Sequence, residues 1–253
     1  MDDAVTLTRE GALAVIRLNR PEARNSLRIA DMARLAALLG ELGDARCLLL
    51  TGTDEAFCAG RDLKEMQPGG NDARPVLSER VNPLLLRLRA LPIPTIAALR
   101  GPALGLGLGL ALACDITLAA EDARLGSPFR EIGCVLDSGG HWFLAQRIGC
   151  HRAAELIFTG RLLSGREAAA LGLINRAVGA LQLEPLATAM AQRIASGPTA
   201  AFRASKAILA AGHDLPRTLE AEIEAQAAAL DSRDGQEGLR AFLEKRAPRF
   251  IGA

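Results

Sequence analysis

GPALGLGLGLALACDI, residues 101–116, alternates glycine with leucine through its middle. Neither an ordinary helix nor a strand wants that rhythm, because glycine weakens both interiors. A membrane span needs about 20 apolar residues, and this run is closed by Arg100 and Pro102 on one side and Asp115 on the other. It is too short. A nucleotide loop also fails: Gly105, Gly107 and Gly109 give GxGxG, but Leu110 stands where the last glycine of GxGxxG belongs, and no Gly-Lys-Ser/Thr follows. A third reading suits the flanks. PTIAALRG reads as a buried strand, so the glycines turn the chain from strand to helix, where the first N–H groups have no intrahelical partner. Such a turn lets a ligand's carbonyl approach the backbone, as an oxyanion site requires. On spacing alone, glycines that let the helix pack tightly on a neighbour remain the leading alternative.

Outward from this stretch the pattern is strand, loop, helix, strand. AVTLTREGALAVIRLNRP alternates around Glu10-Gly11 and predicts a β-hairpin. SLRIADMARLAALLGEL places Ile29, Met32, Leu35, Ala36 and Leu39 at helical spacing, with Ser26 as N-cap. RCLLLTG is a buried parallel strand, RPVLSERVNPLLLRLRALP a helix and DITLAA a third buried strand. In FCAGRDLKEM, glycine again turns the chain after a strand and RDLKEM opens a helix. Two such strand ends in one parallel sheet can aim two N–H groups at one ligand atom. SGREAAALGLINRAV carries a capping box, Ser164 with Glu167, then a helix and a strand. From about Leu183 onward the pattern is helical only, which places a boundary at Ser196-Gly197-Pro198 between a core of residues 1–196 and a helical region of residues 197–253. Helices this rich in alanine call for something to pack against, and a partner subunit is the candidate.

Composition narrows the function. The 253 residues suffice for one large α/β domain or one with an appendage, and 49% hydrophobic content excludes disorder. With 30 basic and 29 acidic residues and net charge +1, nothing favours nucleic acid or an anionic membrane surface. One Trp and no Tyr make no base-stacking platform. Five cysteines without a CxxC pair and three scattered histidines make no metal site. Unpaired thiols and an opening MDDAVTLTRE with no apolar signal core fit a cytoplasmic protein.

RNSL, AFCAGRDLKEM, PTIAALRGPALGLGLGLALACDI, ARLGSPFREIGCVLDSGG, FTGRLLSGREAAALGLINRAV and FLEKRAPRF follow one another along nearly the whole chain. In that order and spacing the sequence resembles the crotonase superfamily, the enoyl-CoA hydratase/isomerase family. In motif it is nearest to the DSGG-type phenylacetate-pathway and dienoyl-CoA isomerases. The resemblance implies an α/β fold, a crotonase-like ββα spiral with a C-terminal helical trimerisation region. It implies an acyl-CoA thioester substrate, no cofactor beyond the coenzyme A the substrate brings, no metal, and a trimer or dimer of trimers. By motif position, the Arg61 and Leu106 N–H groups would hold the thioester oxygen. Ala59, Asp62, Leu63, Lys64 and Met66 match the substrate and CoA contacts, and Phe242 and Lys245 match residues that reach CoA from the C-terminal helices, often a neighbour's.

The sequence departs from the family at its chemistry. Hydratases of the family use two glutamates; the matching positions here hold Gly109 and Phe129, and neither residue moves protons. Phe129 should dry the pocket. Asp137, in VLDSGGHW, remains as an acid that a dry site would perturb into a proton shuttle; the alternative is an N-cap for the helix SGGHWFLAQRIG. His141 and Trp142 are expected along the pocket, Glu131 and Arg130 in solvent, and Cys58 and Cys134 as filler. Residues 67–75 are expected to cover the acyl end. Beside isomerisation stand two further readings: a hydratase with atypical acid and base, and an acyl-CoA-binding pseudoenzyme.

Overall fold

The computed structural model describes residues 3–53, 56–65 and 73–253. Met66 and residues 67–72 of the expected cover lie outside the described residues. The chain opens as the hairpin that its alternation predicts, β1 (Val5–Glu10) and β2 (Leu13–Leu18) pairing antiparallel. Then come α1 (Ile29–Leu38), β3 (Cys47–Gly52), α2 (Ala73–Val76), a π turn (Leu77–Val81) and α3 (Asn82–Arg89). β4 (Thr95–Leu99) leads into β5 (Pro102–Leu104), α4 (Leu106–Ala113), β6 (Ile116–Ala120) and β7 (Arg124–Gly126). After α5 (Gly140–Ile148) and α6 (Cys150–Thr159) come β8 (Leu163–Ser164), α7 (Gly165–Ala170) and β9 (Arg176–Val178). Four helices close the chain: α8 (Ala180–Ala195), α9 (Thr199–Ala211), α10 (Leu215–Asp231) and α11 (Arg233–Leu243).

The strands form two sheets. The larger runs β1-β2-β3-β4-β6-β9 and is parallel from β2 onward; the smaller runs β5-β7-β8. Isolated parallel bridges, Cys58 with Ala103 and Leu27 with Arg61, extend the smaller sheet. Each turn of chain therefore lays one strand in the large sheet, one short segment in the small sheet, and a helix. That repeat is a ββα spiral. β3 and β4 have the continuous apolar character of strands covered on both faces, and β4 is buried throughout. α8 covers β3, β4 and β6, while all eight residues of α4 are buried between α3, α5 and the sheets.

Two local expectations are corrected. Ser26 does not cap α1: the N-cap is Arg28, whose backbone and guanidinium N–H groups donate to Asp31. The helix cannot begin sooner because Leu27 is engaged in the bridge to Arg61. In the described part of RDLKEM, Arg61 to Glu65, the expected α-helix does not open; Leu63–Glu65 form a 3-10 turn, with Asp62 pinned by Arg20 at 2.7 Å. The capping box at Ser164 and Glu167 forms as its spacing predicts.

Candidate active site

The glycine-leucine stretch and the FCAGRDL loop meet edge to edge. The Cys58 N–H donates to the Pro102 carbonyl (2.9 Å), and the Leu104 N–H returns to Cys58 (3.0 Å). Gly105 then turns the chain at φ 52°, ψ −116°, a conformation closed to residues with a Cβ, and α4 starts at Leu106. A Cβ built on Gly60 would lie 3.7 Å from the Leu106 nitrogen, so the residue preceding Arg61 touches the Leu106 amide. On the other edge, Leu27 donates to the Gly60 carbonyl (2.8 Å) and accepts from the Asp62 N–H (2.9 Å). That bridge leaves the Arg61 N–H on the opposite side of the segment. Neither Arg61 N–H nor Leu106 N–H donates a hydrogen bond within the described residues. Two free amides on adjoining loops, one at a helix N-terminus, can together hold a carbonyl oxygen that gains negative charge.

Asp137 is attached to this pair through α4. A Cβ on Gly109 would stand 2.5 Å from the Ser138 carbonyl oxygen and 2.8 Å from its Cβ, so the Asp137-Ser138 backbone rests on the first turn of α4. Ser138 is buried and left-handed (φ 54°), followed by Gly139 at φ 73°. The N-cap of α5 is Gly139, with no side-chain cap bond, so Asp137 is not the cap. Its carboxylate instead accepts the Ser138 hydroxyl at 2.7 Å. Burial lifts the Asp137 carboxyl above the ordinary carboxylate value, opposed by the Ser138 hydrogen bond and the Arg61 charge. Phe129 lies on Gly105, its ring edge 3.3 Å from a Cβ built there, and walls the site with hydrocarbon.

Other residues take varied places. Ala59 is held by its N–H to the Arg24 carbonyl (3.0 Å), and Asp62 turns inward to Arg20 and the Lys64 N–H (3.0 Å). Leu63 and Lys64 are exposed on the 3-10 turn. His141 is exposed, and the Trp142 ring, half exposed, stacks under the Arg89 guanidinium at 4.7 Å and edge-on to Phe143 at 5.2 Å. Phe242 is 80% exposed and Lys245 follows α11, which packs on α10, so the C-terminal helices and not the two loops hold them. Glu131 and Arg130 face Gly160, and the Arg130 guanidinium donates to the Thr159 carbonyl (3.1 Å). Burial pushes the Cys58 thiol up to about 12, which leaves it inert as a nucleophile at neutral pH; Cys134 is exposed. Among the described residues, no group of three His, Cys, Asp or Glu could hold a metal ion, and no helix is long and apolar enough to cross a membrane.

The residues that position the Arg61 loop are not visible from spacing. Asn25 is fully buried with φ 56°; its amide donates to the carbonyls of Thr53 (3.2 Å) and Ala56 (2.7 Å), and its oxygen accepts from the Arg20 N–H (2.7 Å). The Glu65 carboxylate accepts from the Ile29 N–H at 2.9 Å, tying the loop's far end to α1. RNSL contains the signal, but only the fold reveals what its asparagine bonds. Asn25→Ala is expected to cost about 2–4 kcal/mol, since it strands several buried partners at once. It should also raise KM for any thioester by loosening the loop; denaturant titration and steady-state kinetics check both.

A parallel sheet whose strand ends present two free amides beside a perturbed carboxylate defines a crotonase-like α/β protein. The family model for enoyl-CoA hydratase/isomerase matches residues 8–253. A "Probable enoyl-CoA hydratase" of Rhodobacter capsulatus is 41% identical over 243 residues, covering 95% of each chain. The "1,2-epoxyphenylacetyl-CoA isomerase" of Escherichia coli is 37% identical over 252 residues, covering 96% of each. The crystal structure of an enoyl-CoA hydratase from Bacillus anthracis superposes with TM-score 0.93 at 36% identity, over 99% of this chain and 100% of that one. The chain belongs to the enoyl-CoA hydratase/isomerase family.

Proposed function

We propose that the protein isomerises an unsaturated or ring-derived acyl-CoA, with the thioester oxygen held by the Arg61 and Leu106 N–H groups. Asp137 takes a proton from one carbon of the enolisable acyl group and returns it to another, so the double bond moves and no atom is gained or lost. The observation that carries this reading is one carboxylate, raised by burial, whose neighbour Ser138 rests on Gly109 of the α4 turn that begins with the Leu106 amide. A raised carboxylate takes a proton from carbon more readily than an ordinary one and holds it as the neutral acid for return, which a permanently ionised group cannot do. Gly109 and Phe129 leave the site without the second acid that adding water requires. Of the two relatives above, the isomerase name fits this arrangement better than the hydratase name.

Coenzyme A enters as part of the substrate, and no separate cofactor or metal takes part. Residues 1–196 form the acyl-CoA-binding core and residues 197–253 an oligomerisation region. Exposed Leu215, Leu219 and Ile223 on α10, with Phe242 and Leu243 at the end of α11, support burial against other subunits in a trimer or dimer of trimers. Phe242 and Lys245 would then meet a neighbour's CoA. Five free cysteines support a cytoplasmic setting. The test is a panel of enoyl-, dienoyl- and aryl-CoA esters read by mass spectrometry and chromatography. An isomer of unchanged mass is the expected product. A product heavier by one water points to a hydratase, and no turnover on any ester to a binding protein.

A further inference from the structure

Among the described residues, two buried side-chain polar atoms have no hydrogen-bond partner, and both flank the proposed site: Arg61 Nε and Ser127 Oγ. Ser127 sits in an apolar cleft beside Leu108 and Leu136, next to Gly126, whose carbonyl accepts the Gly105 N–H at 3.0 Å. Arg61 is the more informative. Its backbone belongs to the amide pair, and its guanidinium acts electrostatically on the Asp137 carboxylate. Two arginines beside this loop are engaged: Arg20 with Asp62 and Arg28 with Asp31. A buried guanidinium N–H without an acceptor is costly to keep, and at a ligand site it marks where the ligand's acceptor goes.

We propose that the Arg61 side chain is a specificity-determining donor that reads an acceptor oxygen in the acyl group, separate from the thioester oxygen held by the backbone. The site is thereby matched to oxygen-bearing acyl-CoA esters and discriminates against plain hydrocarbon chains of the same length. A site built to hydrogen-bond an oxygen rejects the isostere that lacks it, because the donor is left buried and unpaired. The inference rests on the acyl-CoA reading, but not on the identity of the reaction.

The experiment is therefore one of binding with esters that have no double bond to move. Hexanoyl-CoA is compared by calorimetry with 3-oxa-, 4-oxa- and 5-oxahexanoyl-CoA, each replacing one CH2 by oxygen, and with free CoA. At least one oxa ester should bind about ten- to a hundredfold more tightly than hexanoyl-CoA, the range for a hydrogen bond to a charged group. In Arg61→Met that preference should collapse to within about twofold, and Arg61→Gln, which keeps an N–H donor, should restore part of it. Circular dichroism verifies that both variants are folded. Equal binding of all four esters to the wild type overturns the proposal. So does a loss in Arg61→Met that is the same for free CoA as for every ester, which would place the guanidinium on the CoA moiety. Failure of the isomerase reading would appear in the product panel and leave this comparison intact.

Discussion

Asp137→Asn is expected to lower kcat by about three orders of magnitude, while the dissociation constant for a non-reacting acyl-CoA changes by less than about twofold. A positioned acid–base group contributes roughly 10²–10⁴ in rate, and asparagine keeps the shape and the acceptor for the Ser138 hydroxyl while losing the exchangeable proton. Wild-type activity should rise with pH along a limb centred above the ordinary carboxylate value of 3.8, since burial raises the group and the base must be ionised. Removing the Arg61 charge should move that limb further up, because the charge holds the carboxyl down. Stability has the opposite sign. A carboxyl raised by folding binds more protons folded than unfolded between 3.8 and its folded value, so stability falls as pH rises through that window. Asp137→Asn should therefore melt higher than wild type at neutral pH and lose that advantage below pH 3.8. Full activity in the variant, with the acid limb unmoved, would sink the shuttle.

The opening hairpin, the buried strands RCLLLTG and PTIAALRG, and the Ser164 capping box were legible because each is encoded within a few residues. The small sheet was not. β5, β7 and β8 are only two or three residues long and exist by pairing across sequence: Ala103 with Leu125, and Leu125 with Leu163. No local alternation can announce that. The same limit explains Ser26, a good cap by type that the Leu27 bridge excludes from the helix start. At the site, motif order singled out Arg61, Leu106 and Asp137 as candidates, and a sharp glycine turn and close glycine packing occur side by side in the same stretch. Gly105 makes the turn that frees the Leu106 amide, whereas Gly107 and Gly109 lie against Cys58 and Ser138. The clasp built by Asn25 escaped detection, since a buried asparagine and a surface one look alike in sequence.

Gly109→Glu is the substitution that a comparison of motifs invites, because it puts back one hydratase carboxylate. It is expected to destabilise the fold by about 3 kcal/mol or more and to yield no water adduct. Helix propensity favours a side chain here by up to about 1 kcal/mol over glycine. Against that, the first carbon alone would lie 2.5 Å from the Ser138 oxygen and 2.8 Å from its Cβ, well inside ordinary contact. Overpacking of this kind costs about 1–3 kcal/mol even for apolar groups, and a carboxylate sunk at this fully buried turn adds its own desolvation. Repulsion must move the 137–139 turn, since the rigid first turn of α4 also carries the Leu106 amide. Moving Ser138 drags Asp137 from its place, so isomerisation should fall about 100-fold alongside a melting temperature lower by roughly 6–12 °C. Gly109→Ala separates the causes: it carries the clash without the charge, and should reproduce a large part of both losses. Hydration by Gly109→Glu at wild-type stability would mean that the turn yields freely. If instead both variants lose stability, what keeps this chain from the hydratase arrangement is the seat of the Ser138 backbone on α4, and no exchange of side chains at Gly109 alone can undo it.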